Sequence, residues 1–164
     1  MLVTGGSQGA YAINNLVWES LDELLKNYNV IHLCGKNNLN KQKEQIGYYQ
    51  AEYLNNIEVA FNCADICVSR AGSNTLFELL AIKKPSLIIP LPTNNSRGDQ
   101  IQNSRYFFKK GMINMVEQEL LTKNSFLLSV NNTYNNRKVL VNNINMQPVK
   151  DGSRNISNIL ADYA

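Results

Sequence analysis

Metal ligands and disulfide partners are scarce in this sequence. The chain has one histidine, His32, and three cysteines, Cys34, Cys63 and Cys67. An odd number of cysteines in apolar neighbourhoods is typical of reduced thiols in the core of a cytosolic protein. Cys63 and Cys67 could in principle share a metal ion, but no second cysteine pair accompanies them. We therefore expect these thiols to pack in the core, and we expect no metal and no cofactor.

Long apolar runs and clusters of charge are also missing. No apolar run approaches the ~20 residues that a membrane-spanning helix needs, and no signal peptide precedes the first strand. The net charge is only +3 and the lysines and arginines are scattered, so nucleic acid is not an expected partner. We find no internal repeat and no linker. The sequence predicts a single cytoplasmic domain over residues 1–164, with no transmembrane segment.

Short apolar runs alternate with helical patterns along the chain. Strands are predicted at residues 1–4, 30–34, 51–54, 66–68, 86–90 and 113–116. Helices are predicted at residues 13–25, 57–63, 76–81, 99–110, 123–130 and 135–143, with a last one from Ser153. This alternation is typical of an α/β protein with a Rossmann-like, doubly wound parallel sheet and helices on both faces. His32 lies within an apolar run, so we interpret it as a core residue rather than a catalyst.

Three polar, glycine-containing turns follow strands of this predicted sheet, at residues 5–9, 71–73 and 93–98. The carboxyl ends of parallel strands share one edge of the sheet, and ligands of such folds bind there. A helix that starts after a tight turn leaves backbone N–H groups unpaired and presents the positive end of its dipole. The turn at residues 71–73 is followed by a helix, so we expect a phosphate to bind there.

A carboxylate, Glu78, lies in the predicted helix that follows the second of these turns. Glu78 lies four residues after Asn74, on the same helix face and one turn further in. A carboxylate does not hold a phosphate, but it accepts hydrogen bonds from a vicinal diol such as a ribose. The pattern predicts a nucleotide site, with diphosphate at the start of the helix and ribose one turn deeper.

Several groups of residues, in order along nearly the whole chain, carry a resemblance to a known family. They are residues 3–10 with Asn14, His32 with 35–36, 64–65, 69–72 with Thr75 and Glu78, Pro90, and 99–100 with Asn103. As a set they resemble the C-terminal half of the MurG family, the bacterial UDP-N-acetylglucosamine:lipid I transferases of peptidoglycan synthesis. The resemblance implies a GT-B glycosyltransferase, in which the active site lies between two Rossmann-like halves and the C-terminal half binds the nucleotide sugar.

The resemblance also implies roles for individual residues. It implies a substrate-binding set that lies against the diphosphate and the sugar. This set contains Gly6, Ser7, Gln8, Gly9, Arg70, Gly72, Ser73, Asn74 and Thr75. Tyr53 and Leu54 would bracket the uracil ring, Leu54 through its backbone. Glu78 would hold the ribose hydroxyls, and Asp99 and Gln100 would reach the sugar hydroxyls. We assign no catalytic residue to this chain.

Two departures from the family pattern affect these expectations. The family commonly has two glutamines where this chain has Asp99 and Gln100, and an aspartate can accept from a sugar hydroxyl but cannot donate. The N-terminal half, which in the family supplies the presumed base, the acceptor site and the membrane-facing patch, is absent from this sequence. We therefore expect the chain alone to be inactive, and the full-length enzyme to act at the inner face of the cell membrane on a lipid-linked acceptor.

Other functions remain open at this level. The chain fits a UDP-sugar-binding subunit that meets its other half in trans, or a non-catalytic regulatory module of the same fold. A different GT-B enzyme, such as an epimerase or a diacylglycerol glucosyltransferase, is a third possibility, because fold alone does not set function. The sequence has no Asp-x-Asp pair to hold a divalent cation, which agrees with metal-independent transfer of N-acetylglucosamine from UDP.

Overall fold

Six parallel strands form the sheet. The computed structural model describes residues 1–93, 98–146, 157 and 159–161. In chain order the strands are β1 (Leu2–Thr4), β2 (Val30–Leu33), β3 (Tyr48–Ala51), β4 (Cys67–Ser69), β5 (Ser86–Ile88) and β6 (Asn114–Met115). They lie side by side in the order β3-β2-β1-β4-β5-β6, and every neighbouring pair is parallel. The predicted α/β class with a parallel sheet is confirmed.

Helices cover both faces of the sheet. They are α1 (Tyr11–Glu19), α2 (Leu21–Leu24), α3 (Ile57–Cys63), α4 (Ser73–Ala81), α5 (Asp99–Lys109), α6 (Lys123–Asn135) and α7 (Arg137–Met146). Successive strand residues point to opposite faces, so Leu2 joins the core cluster under α3, α4, α5 and α7, whereas Val3 joins the cluster under α1, α2 and α6. Both residues are fully buried, as expected for a strand in a doubly covered parallel sheet.

The strand order reverses between β1 and β4. From β1 the chain adds β2 and β3 on one side, and it then returns to place β4, β5 and β6 on the other. Thr4 pairs with Ser69, so β1 and β4 end at the same level. The turns that follow these two strands therefore begin side by side. In open α/β sheets this reversal is where ligands bind.

The predicted bounds of one strand and one helix in the first part of the chain need correction. The third strand was expected at residues 51–54 but occupies Tyr48–Ala51. It is an edge strand, and its partly exposed residues do not form the continuous apolar run that is typical of a buried strand. Tyr53 and Leu54 therefore lie beyond its carboxyl end. The first predicted helix is divided at Ser20, whose backbone N–H closes α1 and whose carbonyl starts α2.

The C-terminal part of the chain is helical as predicted, but α6 extends five residues beyond the expected end at Val130. The start of the last predicted helix, at Ser153, lies outside the described residues. Among the residues that the structure describes, no helix is long and apolar enough to cross a membrane.

Candidate functional site

A cavity of about 550 Å³ opens where the strand order reverses. It is lined by residues from the end of β4, from the turns after β1 and β4, from α1, α4 and α5, and from the segments after β5 and β6. They are Gly5, Gly6, Gly9, Ala10, Tyr11, Ala12, Ser69, Arg70, Gly72, Thr75, Leu91, Gln100 and Gln118. None of these described lining residues is acidic, and one, Arg70, is a cation. The cavity is therefore electrostatically suited to an anion.

Two helices start at the wall of this cavity without a side-chain cap. The N-cap of α1 is Ala10 and that of α4 is Gly72, and neither residue has a side chain that accepts a hydrogen bond. The first helical hydrogen bonds are those from Asn14 N–H to the Ala10 carbonyl and from Leu76 N–H to the Gly72 carbonyl. The N–H groups of the preceding first-turn residues thus have no partner within their helix. Both first turns lack an acidic residue, so each dipole end keeps its positive potential.

Arg70 lies between these two helix starts and the next strand. Its Nη1 donates to the carbonyls of Ile89 and Pro90, each at 3.2 Å, and its Nη2 donates to Oε1 of Gln118 at 2.6 Å. Burial lowers the pKa of the guanidinium from its usual value. Among the described residues no carboxylate forms an ion pair with it. Arg70 therefore brings a positive charge to the cavity that neutral acceptors orient but do not neutralise.

The glycines of the site serve two different purposes. A Cβ atom added to Gly6 or to Gly72 would meet no described atom within 4 Å, so both face open space at the cavity. A Cβ on Gly9 would lie 2.0 Å from the Cys34 carbonyl oxygen, and one on Gly5 would lie 2.4 Å from the Ala10 nitrogen. Gly9 also has φ of +76°. Gly5 and Gly9 are therefore required by the packing of the protein, whereas Gly6 and Gly72 leave room for a ligand.

We call the turn of residues 5–9 the glycine turn. The segment after β2 donates hydrogen bonds to it. Lys36 N–H donates to the Ser7 carbonyl at 3.2 Å, and Asn38 Nδ2 donates to the Gln8 carbonyl at 3.1 Å. Within the turn, Gly9 N–H donates to the Gly6 carbonyl at 2.9 Å. The side chains of Ser7 and Gln8 are exposed and do not line the cavity. These contacts fix the backbone of the turn and leave both side chains available.

The residues expected near the uracil lie apart from this cavity. Tyr53 is 64% exposed, and Leu54 packs against the core cluster beneath α3 and α4. Both follow β3, which is separated from β1 by β2. Neither lines the cavity at the strand reversal. The glycine turn and these two residues nevertheless follow strands of the same sheet edge, so an extended ligand is needed to reach both.

The residues expected at the ribose and the sugar are distributed over two helix starts. Ser73, Asn74 and Glu78 are exposed on α4, outside the cavity lining, whereas Thr75 lines it. Asp99 is exposed at the first position of α5.

Gln100, the next residue, lines the cavity. Its Oε1 accepts from Leu91 N–H at 3.1 Å. Its amide nitrogen is therefore the atom that can donate towards a ligand.

His32 is a core residue, as its position in an apolar run predicted. It is fully buried, its Nδ1 lies 2.9 Å from Tyr48 Oη and its Nε2 lies 3.0 Å from Asn14 Oδ1. Burial lowers the pKa of His32 from 6.5 to about 4, so the ring is neutral at physiological pH. Both nitrogens are occupied and the ring does not line the cavity. The side chain cannot reach a substrate.

Gly5 belongs to the predicted glycine turn, but several other lining residues were not among the substrate-binding residues predicted from the sequence: Ala10, Tyr11, Ala12, Ser69, Leu91 and Gln118. Tyr11 and Ala12 open α1 directly after the glycine turn, so the argument used for Ser73 to Thr75 would have found them. Gln118 follows β6 closely, at the same sheet edge as the other turns. Among the described residues, no cluster of three histidine, cysteine, aspartate or glutamate side chains that could hold a metal is present.

Two solved structures of glycosyltransferases have similar folds. The crystal structure of Acinetobacter baumannii MurG superimposes with a TM-score of 0.76, at 19% identity, over 98% of this chain and 51% of that one. The glycotransferase of kitacinnamycin superimposes with a TM-score of 0.72, at 15% identity, over 88% of this chain and 36% of that one. At these identities the likeness establishes the fold, which is the C-terminal half of a GT-B glycosyltransferase.

Sequence comparison is more specific. The chain is 40% identical over 165 residues to the UDP-N-acetylglucosamine--N-acetylmuramyl-(pentapeptide) pyrophosphoryl-undecaprenol N-acetylglucosamine transferase of Clostridium botulinum strain 657, covering 99% of this chain and 47% of the relative. The protein of the same name from Clostridium tetani is 42% identical, with 99% and 46% covered. The chain thus spans about half the length of these curated relatives. The family model described as glycosyltransferase family 28 C-terminal domain matches residues 1–157, and the chain belongs to this family.

Proposed function

We propose that this chain is the donor-binding domain of a glycosyltransferase that moves N-acetylglucosamine from UDP to lipid I in peptidoglycan synthesis. The relatives named above carry this activity in their names and are about twice as long. The acceptor site and the base belong, in this proposal, to an N-terminal half. The domain itself binds UDP-N-acetylglucosamine.

One observation carries the proposal: two uncapped helix starts and one un-neutralised cation meet at the same cavity. The α1 and α4 starts and Arg70 all contribute to its lining, without an acidic neighbour among the described lining residues. A single helix start is a weak anion site, but two that converge on one cavity suit a ligand with two linked phosphates. The open space at Gly6 and Gly72 lets the backbone approach the phosphates closely.

The rest of the donor extends from this diphosphate in two directions. Glu78, one helical turn beyond the α4 start, is proposed to accept from the ribose hydroxyls, and Tyr53 with the Leu54 backbone is proposed to hold the uracil. On the other side, the amide nitrogen of Gln100 donates to a sugar oxygen and the Asp99 carboxylate accepts from a sugar hydroxyl. Ser73 and Asn74 are proposed to complete the sugar and phosphate contacts.

The chemistry follows from this arrangement. The acceptor hydroxyl attacks the anomeric carbon of the sugar, the glycosidic bond to the β-phosphate breaks, and UDP leaves with the bonding electron pair. The α1 and α4 starts and Arg70 stabilise the negative charge that develops on the leaving diphosphate. His32 is enclosed and has both nitrogens bonded, so it is not a candidate base, and in this proposal the base that accepts the hydroxyl proton belongs to the other half. We therefore expect the chain alone to bind donor and to transfer no sugar.

Calorimetric titration tests the proposal. UDP should bind at least about tenfold more tightly than uridine, because uridine lacks the diphosphate that the helix starts and Arg70 recognise. UDP-N-acetylglucosamine should bind better than UDP-glucose if the sugar pocket is selective for the acetamido group. Equal affinity for UDP and uridine would contradict the diphosphate site, and a preference for UDP-glucose would favour a different GT-B enzyme.

A matched pair of variants separates the site from general charge effects. Arg70→Gln and Arg105→Gln each remove one positive charge. Arg105 forms a surface ion pair with Glu117 and does not line the cavity. Only Arg70→Gln should weaken UDP binding, by about 1.5–3 kcal/mol. Similar losses in both variants would indicate non-specific attraction rather than a site.

A further inference from the structure

We propose that a hydrogen-bonded network of four side chains, the half-buried Trp18 and Tyr48 and the buried His32 and Asn14, positions the glycine turn and thereby sets the affinity of the domain for the donor diphosphate. None of the four was assigned a binding role, and His32 has no catalytic role. The inference rests on the proposed function, because it concerns the turn that would lie against the diphosphate. It makes these four positioning residues rather than substrate ligands.

The donor and the acceptor of every hydrogen bond in this network are determined by the two residues at its ends, Trp18 and Asn14. Trp18 Nε1 can only donate, and it donates to Tyr48 Oη at 3.0 Å. Asn14 Nδ2 donates to the Cys34 carbonyl at 2.9 Å, which leaves Asn14 Oδ1 as an acceptor. His32 Nε2, at 3.0 Å from Asn14 Oδ1, must therefore carry the proton, and His32 Nδ1 accepts from the Tyr48 hydroxyl at 2.9 Å. The structure thus requires the Nε2–H tautomer of a neutral ring.

The network ends at the Cys34 carbonyl oxygen, which contacts the glycine turn. The Cys34 carbonyl oxygen that accepts from Asn14 is also the atom that would lie 2.0 Å from a Cβ on Gly9. On the other side of this contact, a Cβ on Gly35 would lie 2.2 Å from the Gly9 nitrogen. The backbones of residues 34–35 and 8–9 are therefore in direct contact. Any shift of the Cys34 carbonyl moves the turn that faces the cavity.

Core stability alone gives no reason for four polar side chains here. His32 is 0% exposed and Asn14 is 1% exposed, beside a cluster made of aliphatic and aromatic side chains such as Ile13 and Val17. Burying polar groups gains little over apolar packing even when all are bonded, but a fully bonded network fixes one geometry. The network therefore has a use that apolar packing would not provide, which is to fix the position of the Cys34 carbonyl.

Substitutions of His32 separate positioning from stability. His32→Gln keeps an amide nitrogen that can donate to Asn14 Oδ1, whereas His32→Leu removes every polar atom and suits an apolar site. Val130→Ala is the control: Val130 is fully buried in the same cluster, on α6, and does not line the cavity. The readouts are UDP affinity by calorimetry, hydrogen exchange of the Gly9 amide, which bonds to the Gly6 carbonyl, and the unfolding midpoint.

We expect His32→Leu to weaken UDP binding by about tenfold or more, the scale on which groups that orient metal ligands act when they are lost. It should also speed Gly9 exchange, whatever its effect on the unfolding midpoint. His32→Gln should retain most of the affinity and the protection. Val130→Ala should lower the midpoint and leave both unchanged. In the wild type, nitrogen chemical shifts of the His32 ring should show the Nε2–H tautomer.

Two results would overturn the inference: equal UDP affinity in His32→Leu and wild type, or losses in Val130→Ala as large as those in His32→Leu. If His32→Leu does not fold, Tyr48→Phe replaces it, since it removes only the hydroxyl that Trp18 and His32 share. If the wild type binds no UDP, the proposed function fails. The exchange of the Gly9 amide in the same variants then still decides whether the network holds the turn.

Discussion

The turns after β1 and β4 have the same local plan and are built differently. Each joins a short buried strand to a helix whose N-cap residue has no polar side chain, and each lines the same cavity. In the β1 turn, Gly9 has φ of +76° and packs against the Cys34 carbonyl. In the β4 turn, Gly72 has φ of −57° and faces open space. The β1 turn is thus fixed by protein packing at Gly9, whereas the β4 turn has no such contact at Gly72.

The two turns also differ in what supports them. The β1 turn rests on the Cys34 carbonyl, which accepts from the buried Asn14, and Asn14 in turn is bonded to the buried, titratable His32. The β4 turn is supported by Arg70, which donates to the carbonyls of Ile89 and Pro90 and to Gln118. Acid therefore acts on the support of the first turn and leaves the charge of the second unchanged. The comparison indicates that changes in the β1 turn affect folding first, whereas changes in the β4 turn affect binding first.

The largest expected effect is on folding. Gly9→Ala should lower the free energy of unfolding by about 3 kcal/mol or more, because a Cβ at 2.0 Å from the Cys34 oxygen forces the backbone apart at a positive φ. Gly72→Ala should change it by less than about 1 kcal/mol. Urea denaturation of both variants measures this. Equal destabilisation would remove the distinction between the two turns.

Acid should destabilise the domain through the support of the β1 turn. The folded-state pKa of His32 is about 4, below its usual 6.5, so between these values the unfolded chain binds a proton that the folded chain does not. The contribution of the neutral His32 to the free energy of unfolding is therefore fully present above about pH 6.5. It is lost as the pH is lowered towards 4, by about 3 kcal/mol in all. Denaturation at pH 7 and pH 4.5 should show a smaller loss in His32→Gln than in wild type. The same loss in both would exclude His32 as the cause.

Glu78 tests whether the nucleoside lies beside α4. Glu78→Gln should keep the fold and cost about 1–2 kcal/mol of UDP affinity, because charge-assisted bonds to the ribose diol are lost. The loss should be smaller for 2′,3′-dideoxy-UDP, which lacks those hydroxyls. The alternative is that the exposed Glu78, which lies beyond the first turn of α4, contributes only to the stability of that helix, by less than about 1 kcal/mol. In that case the unfolding midpoint falls and UDP affinity does not.

The smallest expected effect is that of a single methyl group in the cavity. Gly72→Ala should weaken UDP by about 1 kcal/mol while the fold is retained, because the methyl group occupies space that a phosphate needs. Gly6 is less suitable for this purpose: its φ of +85° strains any side chain, and a valine there would disturb folding as well as binding. Unchanged affinity in Gly72→Ala would show that the β4 turn is a mere connector.

The sequence predicted the fold and the edge of the sheet that carries the site. The buried strand Ser86–Ile88 leads into the apolar run of residues 87–90, and glycine turns mark where other strands end. The edge strand Tyr48–Ala51 was misplaced, because its partly exposed, polar residues lack that signal. Which strands become neighbours depends on long-range packing, so the convergence of the β1 and β4 turns, and the contribution of Gln118, followed only from the structure.

The buried network could not be predicted for a similar reason. Asn14 and His32 were visible as residues, and His32 was assigned to the core. Their hydrogen bond joins α1 to β2, and the bond to Tyr48 joins β2 to β3. Partners in three separate elements leave no fixed spacing in a sequence.

The most direct test of the central claim, that the donor diphosphate lies between the β1 and β4 turns, is a map of amide chemical shifts in the ¹⁵N-labelled chain. Addition of UDP should shift the amides of Gly6, Tyr11, Ala12, Gly72 and Thr75, which line the cavity. Uridine at the same occupancy should leave these five amides unchanged and affect only the region after β3 and the surroundings of Glu78. UDP-dependent shifts that avoid both turns would contradict the account.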